Sequence, residues 1–416
     1  MNQPAPPHTL STESTQTVTF DVEAFRSQFP SLQGGAAHFD GPGGSQTPTA
    51  VADAVARTLT SPISNRGQVT QSERNADAIV LAFRSAMGHF LGVDPGGVVL
   101  GRSMTQLTMD LARTIAQDWA PGDEVVVCRL DHDANIRPWV IAAQGVGAVV
   151  RWVDFDPWTG ELDPTDLAPL LGARTRLVAV TAASNLIGTM PDVAAIADRV
   201  HDADALLFVD AVHYAAHHRV DLRELGADVV ACSPYKFLGP HCGVLAADPA
   251  LFETLHPDKL LPSSEVVPER FELGTLPYEL MAGTTAAVEV IAGAVPGDGT
   301  LGTRLTRSMG AIATHEDALR VDIEQRLVAL PGVTCRSRAR RRTPTLLLEV
   351  DGHEPAALHS ALGERGVNAP GGSFYAVEAS RHLGLGAAGG LRVGLAPYTN
   401  AQDCDRLVGG LAEILQ

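Results

Sequence analysis

The sequence predicts an α/β fold: a mainly parallel sheet covered by helices on both faces, followed by a smaller α+β unit. Two observations carry that expectation. From about residue 76, short, wholly apolar, β-branched runs alternate with segments of helical periodicity, and strands with no polar face belong to a sheet buried on both sides. After "YELMAGTTAAVEVIAGA" the character changes to one long helical segment and then a mixture of strands and helices.

Taken in order, "RNADAIVLAFRSAMGHFLG" places apolar residues at helical spacing and stops at Gly92, as a helix C-terminus should. "GVVL", "EVVVC", "GAVVRWV", "RLVAVTAAS", "ALLFVDAV" and "DVVACS" read as strands, with "MTQLTMDLARTIAQDW" and "DVAAIADRVHDA" as helices among them. The second unit opens on the helical "TRLTRSMGAIATHEDALRVDIEQRLVAL". It continues through "GVTCRSR", "TPTLLLEV", "EPAALHSALGERG", "GGLRVGLAPY" and "AQDCDRLVGGLAEIL". The expected division is a disordered tail over 1–20, a large unit over 21–299 whose first segment partly joins the small one, and a small C-terminal unit over 300–416.

Composition narrows the function. The chain has 416 residues and a net charge of −17, which argues against nucleic acid or an anionic membrane as partner, since phosphate recognition needs basic surface. The basic run at Arg336, Arg338 and Arg340 to Arg342 reads as a solvated edge strand or loop. No uncharged apolar stretch reaches the roughly 18–20 residues of a membrane helix, and the first twenty residues lack the order of a signal peptide. Five scattered cysteines without CxxC spacing fit reduced thiols, with neither a disulfide framework nor a zinc site. A cytoplasmic protein is expected.

The chemistry is expected at the C-terminal ends of the parallel strands, where open sheets bind ligands. Lys236 stands in "CSPYKFLGP" among small, aromatic and Gly/Pro residues, surroundings that favour a neutral amine. Asp210 ends an apolar strand, where an unpaired carboxylate is costly and calls for a cation. Ser103, Thr105 and the backbone of Gln106 sit at a strand-to-helix junction suited to phosphate, and Asn185 follows another strand. Each has an ordinary structural explanation alone: helix cap, snorkelling lysine, capping box. Together they suit pyridoxal 5'-phosphate, which needs a lysine, an acid for its ring nitrogen and a phosphate cup. His217 and His218 read as surface residues, no metal site is expected, and "GGAAHFDGPGGS" reads as a tight turn at the active site and not a nucleotide loop.

The stretch "FVDAVHYAAHHRVDLRELGADVVACSPYKFLGPHCGVL" resembles the cofactor segment of class V aminotransferases, in the cysteine desulfurase and selenocysteine lyase group. The resemblance extends from "HFDGPGGSQTP" to "LRVGLAPYTNAQDCDRL". It implies the fold-type I architecture, with Lys236 as the Schiff-base lysine and Asp210 paired with the ring nitrogen. It further implies Asn185 at the ring's 3'-oxygen, and Thr105, Gln106, Ser233 and Tyr235 around the phosphate. "LDHDANIRPW" makes His132 the residue that stacks on the cofactor and moves protons, and His213 lies where relatives carry glutamine or histidine. Arg392 would clamp the substrate carboxylate. "FELGT" would complete a neighbour's phosphate site through Thr275, implying a homodimer with shared active sites.

The family's desulfurases use a mobile cysteine shortly before that arginine. Here "GERGVNAPGGSFYAVEASRHLGLGAAGGLRVG" contains none, and Ser373 or Phe374 falls near its place; a hydroxyl cannot replace a thiolate there. The sequence therefore points first to a lyase or C–S lyase acting on a small amino acid through Cα deprotonation. A transaminase or epimerase comes next, then a desulfurase using a non-standard cysteine, and last a non-catalytic binding module.

Overall fold

The computed structural model describes residues 20–416; apart from Phe20, the expected N-terminal tail lies outside the described residues. The strands are β1 (Ala37–His38), β2 (Val98–Gly101), β3 (Glu124–Cys128), β4 (Val149–Val153), β5 (Thr175–Thr181), β6 (Leu206–Asp210) and β7 (Val229–Cys232). They continue with β8 (Gly243–Ala247), β9 (Val333–Cys335), β10 (Thr345–Val350), β11 (Val367–Asn368), β12 (Gly371–Gly372) and β13 (Gly390–Gly394).

The large sheet has the order β2-β8-β7-β6-β5-β3-β4. Its strands run parallel except β8, which is antiparallel to β7 and β2. Alternate side chains enter two separate cores. Val126, Val178, Val209 and Val230 pack on one face, and Val127, Ala179, Phe208 and Ala231 on the other. This double burial is why the strands read as unbroken apolar runs. The helices expected over 74–92 and 104–119 form at Gln71–Leu91 and Met104–Ala116. Thr70 and Glu73 close a capping box on the first, which ends at a left-handed Gly92.

A second sheet, β12-β13-β10-β9, is antiparallel and packs with its own apolar cluster of Leu346, Leu348, Leu391 and Val393. β1 pairs in parallel with β11, and Asp40 bridges Gly394, so the glycine-rich segment after β1 is held beside β13. The helix Leu301–Val328 contributes Ile323 and Leu327 to that cluster. Of the basic run, Arg340 is exposed, whereas Arg342 is largely buried against Glu324.

Two expectations need correction. β8 was not among the strands expected from the apolar runs, and it makes the sheet mixed at one side. His217 is buried, not at the surface: its Nδ1 lies 3.0 Å from the buried Glu316 carboxylate. His218 is half-buried.

Candidate active site

A cavity of about 680 Å³ opens where β5, β6 and β7 end. The size falls in the range of small-molecule sites, roughly 300–1,000 Å³. β6 delivers Asp210 as its last residue, and a turn after β7 delivers Ser233, Tyr235 and Lys236; all four line the cavity. Asn185 enters from the loop after β5 and His132 from the loop after β3. Arg392 reaches in from β13, across from the large sheet.

Asp210 is buried, and its Oδ1 accepts a hydrogen bond of 2.8 Å from the Val212 amide. Burial raises its carboxyl to about 6, while that hydrogen bond and Lys236 oppose the shift. Lys236 is pulled the other way. Burial lowers its amine to about 7, aided by the positive Arg392 and opposed by Asp210. Its Nζ donates to the Pro42 carbonyl in the glycine-rich turn, so "GGAAHFDGPGGS" contributes backbone to the site through Pro42 and Gly43.

His132 begins the short turn Asp133–Asn135, and its Nδ1 accepts from the Ala134 amide at 3.0 Å. That bond leaves the proton on Nε2. Burial first, then Lys236, lowers the imidazole to about 4, so the ring is neutral. Asp131 holds this loop from below: its carboxylate accepts from Asn135 Nδ2 at 2.6 Å and from the Thr181 amide at 3.1 Å. Among the described residues, no group of three His, Cys, Asp or Glu is placed to hold a metal ion.

His213 lines the cavity, but its Nε2 lies 3.0 Å from each of the Thr343 and Thr345 hydroxyls. Burial pushes its imidazole well below the ordinary value. Thr105 lies at the cavity beside Ser103, the cap of the helix Met104–Ala116. Gln106 does not line the cavity. Its amide bonds Ser103 Oγ and its side chain turns to Asp110 at 3.3 Å. Thr275 is exposed and outside this chain's cavity.

Residues given no wall role from sequence complete the cavity. Met104, Met109, Pro138 and the pair Phe374–Tyr375 make the cavity largely apolar. Phe374 and Tyr375 adopt left-handed backbone angles, φ 54° and 58°, a conformation few bulky residues take. Their carbonyls are tied down by Asn185 Nδ2 at 2.9 Å and by the Asp133 amide at 2.8 Å. The Tyr375 ring stacks on His132 at 5.5 Å, and Arg392 lies over Phe374 at 3.7 Å. The absent loop cysteine was the one sequence signal toward this pair.

The profile of the class-V aminotransferases matches residues 37–407. The chain belongs to that family. A Mycobacterium tuberculosis protein of undetermined function is 33% identical over 95% of this chain and all of its own length. The aminotransferase-like protein FGM3 of Gibberella zeae is 32% identical, over 95% of this chain and 99% of its own. The Escherichia coli cysteine desulfurase CsdA is 28% identical, over 95% and 98%. Its crystal structure, an S-sulfonic acid form, superposes with a TM-score of 0.85 at 26% identity, covering 95% of this chain and 99% of that one. The fold is therefore that of the fold-type I enzymes, and the cofactor of this family is pyridoxal 5'-phosphate.

The residues present fit that cofactor. Asp210 is a buried carboxylate that has no cation in hydrogen-bond contact among the described residues, which a protonated ring nitrogen would supply. Asn185 Oδ1 is buried without a partner among the described residues. The start of the thirteen-residue helix Met104–Ala116 faces the same space, and helix N-termini favour phosphate.

Proposed function

We propose that the chain is a lyase that acts on a small α-amino acid by removing its Cα proton and expelling a β-substituent, a C–S lyase being the first candidate. The carrying observation is the Phe374–Tyr375 loop, which occupies the wall beside Arg392 and presents two rings and no thiol. All five cysteines are buried, and none lines the cavity. Burial raises the thiols of Cys128 and Cys232 well above the ordinary range and those of Cys335 and Cys404 to about 11 and about 12. Thiolate attack on a bound sulfur is unsupported by such groups.

In this reading Lys236 holds the cofactor and Asp210 keeps its ring nitrogen protonated. Ser103, Thr105, Ser233 and Tyr235 hold its phosphate, Asn185 meets the ring's 3'-oxygen, and His213 backs the ring. When bound, the cofactor supplies an electron sink that stabilises negative charge at the substrate Cα. Arg392 orients the substrate by its carboxylate. Lys236 Nζ, titrating near neutrality, takes the Cα proton and returns one, and the neutral His132 offers Nε2–H across the cavity. Thr275 acts in trans, completing the phosphate site of a second copy in a homodimer with shared sites. The buried, unpaired thiols accord with a cytoplasmic location.

The presence of two proton carriers, Lys236 and His132, in one cavity favours a transaminase or epimerase as the second reading. Incubating the holoenzyme with a panel of amino acids, and assaying keto acid, ammonia, sulfide and change of configuration, decides between them. Keto acid with ammonia supports the lyase; amino-group exchange or racemisation without ammonia contradicts it. Lys236→Ala should lose the long-wavelength absorbance of the bound cofactor and all turnover, and full activity in that variant would contradict the assignment.

A further inference from the structure

We infer that Phe374 is a positioning residue for Arg392, holding the guanidinium so that one edge alone faces the substrate carboxylate. The inference rests on the proposed reading of Arg392 as the carboxylate clamp. Arg392 is 2% exposed, and its guanidinium carbon sits 3.7 Å from the Phe374 ring centroid, a face-on contact. Its Nη1 donates to the Asn185 carbonyl at 2.9 Å. Nε is buried with no partner among the described residues. Nη2 borders the glycine-rich turn, where a Cβ on Gly43 would lie 3.7 Å away.

Two constraints therefore act on one planar group and leave one edge open. The ring occupies a face, the Asn185 carbonyl takes Nη1, and the edge formed by Nε and Nη2 is left unused. That edge is the one a carboxylate engages with two parallel N–H···O bonds. An unpartnered buried donor is costly, and among the described residues no carboxylate forms an ion pair with this arginine, Asp40 acting on it only at longer range.

The ring is itself held to the arginine by backbone. β12 pairs with β13 through Gly371–Leu391 and Gly372–Gly390, and the Arg392 amide donates to the Pro370 carbonyl at 2.8 Å. Asn185 binds both members, its side chain meeting the Phe374 carbonyl and its own carbonyl meeting Arg392. The helix Val377–His382 fixes the far end of the loop, where Glu378 pairs with Arg129 at 2.9 Å. The left-handed backbone at Phe374 is strain that this bracing maintains.

The test is a spectral titration of the holoenzyme with two probes, L-alanine and L-alaninamide, in wild type, Phe374→Leu, Phe374→Tyr and Arg392→Lys. Leucine retains bulk but removes the π face; tyrosine retains both. Phe374→Leu should weaken L-alanine binding by about 3- to 30-fold, the range that spans exposed and desolvated cation–π contacts. It should leave L-alaninamide binding and the cofactor absorbance unchanged, and Phe374→Tyr should bind L-alanine as wild type does. Unchanged L-alanine affinity in Phe374→Leu would overturn the inference. Tighter binding would also overturn it, showing that the ring obstructs the carboxylate. If Arg392→Lys leaves the preference for L-alanine over its amide intact, the reading of Arg392 itself fails, an outcome distinct from failure at Phe374 alone.

Discussion

Lys236 titrates near 7 because burial and Arg392 outweigh Asp210. Only the neutral amine bonds the cofactor, so reconstitution of the cofactor-free chain should accelerate as pH rises through about 7 and then level off. A rate still climbing toward pH 10 would show an ordinary lysine. The same shift bears on stability. The folded value lies below the unfolded 10.5, so the unfolded chain binds more protons between about 7 and 10.5, and the cofactor-free protein gains stability as pH rises across that window. Thermal melts across the window check this, and a flat profile contradicts it. Arg392→Lys should raise KM about 10-fold or more, since lysine keeps the charge but loses a two-pronged bond worth roughly 1–3 kcal/mol. Cofactor absorbance should not change. These residues were legible because each has an unusual sequence setting: a lysine without polar neighbours, an acid closing an apolar strand. Phe374, Tyr375 and Asp131 had no such setting, because their roles depend on contacts with distant residues, Arg392, His132 and Thr181.

The elements that place the site differ in how well pattern reveals them. The helix Met104–Ala116 follows from its Ser103 cap and apolar spacing, and β5, β6 and β7 follow from unbroken apolar runs. β8 is a five-residue apolar strand, buried at every position, between a Gly/Pro turn and Asp248. β1, β11 and β12 have two residues each, and only tertiary pairing makes them strands. β8 nonetheless governs the proposed phosphate site. At Gly243 the backbone passes so close to the helix start that a Cβ would lie 2.2 Å from Met104 N and Ser103 C. Gly243→Ala should therefore push the Ser103 turn outward, costing about 1–3 kcal/mol of stability and weakening cofactor binding more than substrate binding. Melting and cofactor titration read the two effects. Wild-type affinity for the cofactor would show that the turn does not carry the phosphate.

At the scale of the whole molecule, the cavity is assembled from three distant parts of the chain: the glycine-rich turn near Pro42, the strand ends of the large sheet, and β13 with its preceding loop. Alternation of strand and helix foretold the large sheet, whereas the return of the N-terminal segment to the small sheet depends on β1 meeting β11 some 330 residues later. Thr275 is exposed and does not line its own cavity, and Leu273 nearby is exposed as well, which suits the proposed second copy. Among the described residues, no helix is long and apolar enough to cross a membrane. Sedimentation should show two chains per particle; a monomer that binds cofactor tightly would place the phosphate site within one chain. The central claim is that the reaction needs Lys236 and no thiol. It is tested most directly by replacing Cys128, Cys232, Cys242, Cys335 and Cys404 with alanine or serine in a chain that still folds, then supplying L-cysteine. Keto acid, ammonia and sulfide should form at the wild-type rate, with no persulfide on the wild-type protein by mass spectrometry. Loss of sulfide release in the cysteine-free chain, with a persulfide trapped on one of those five residues during wild-type turnover, would contradict it.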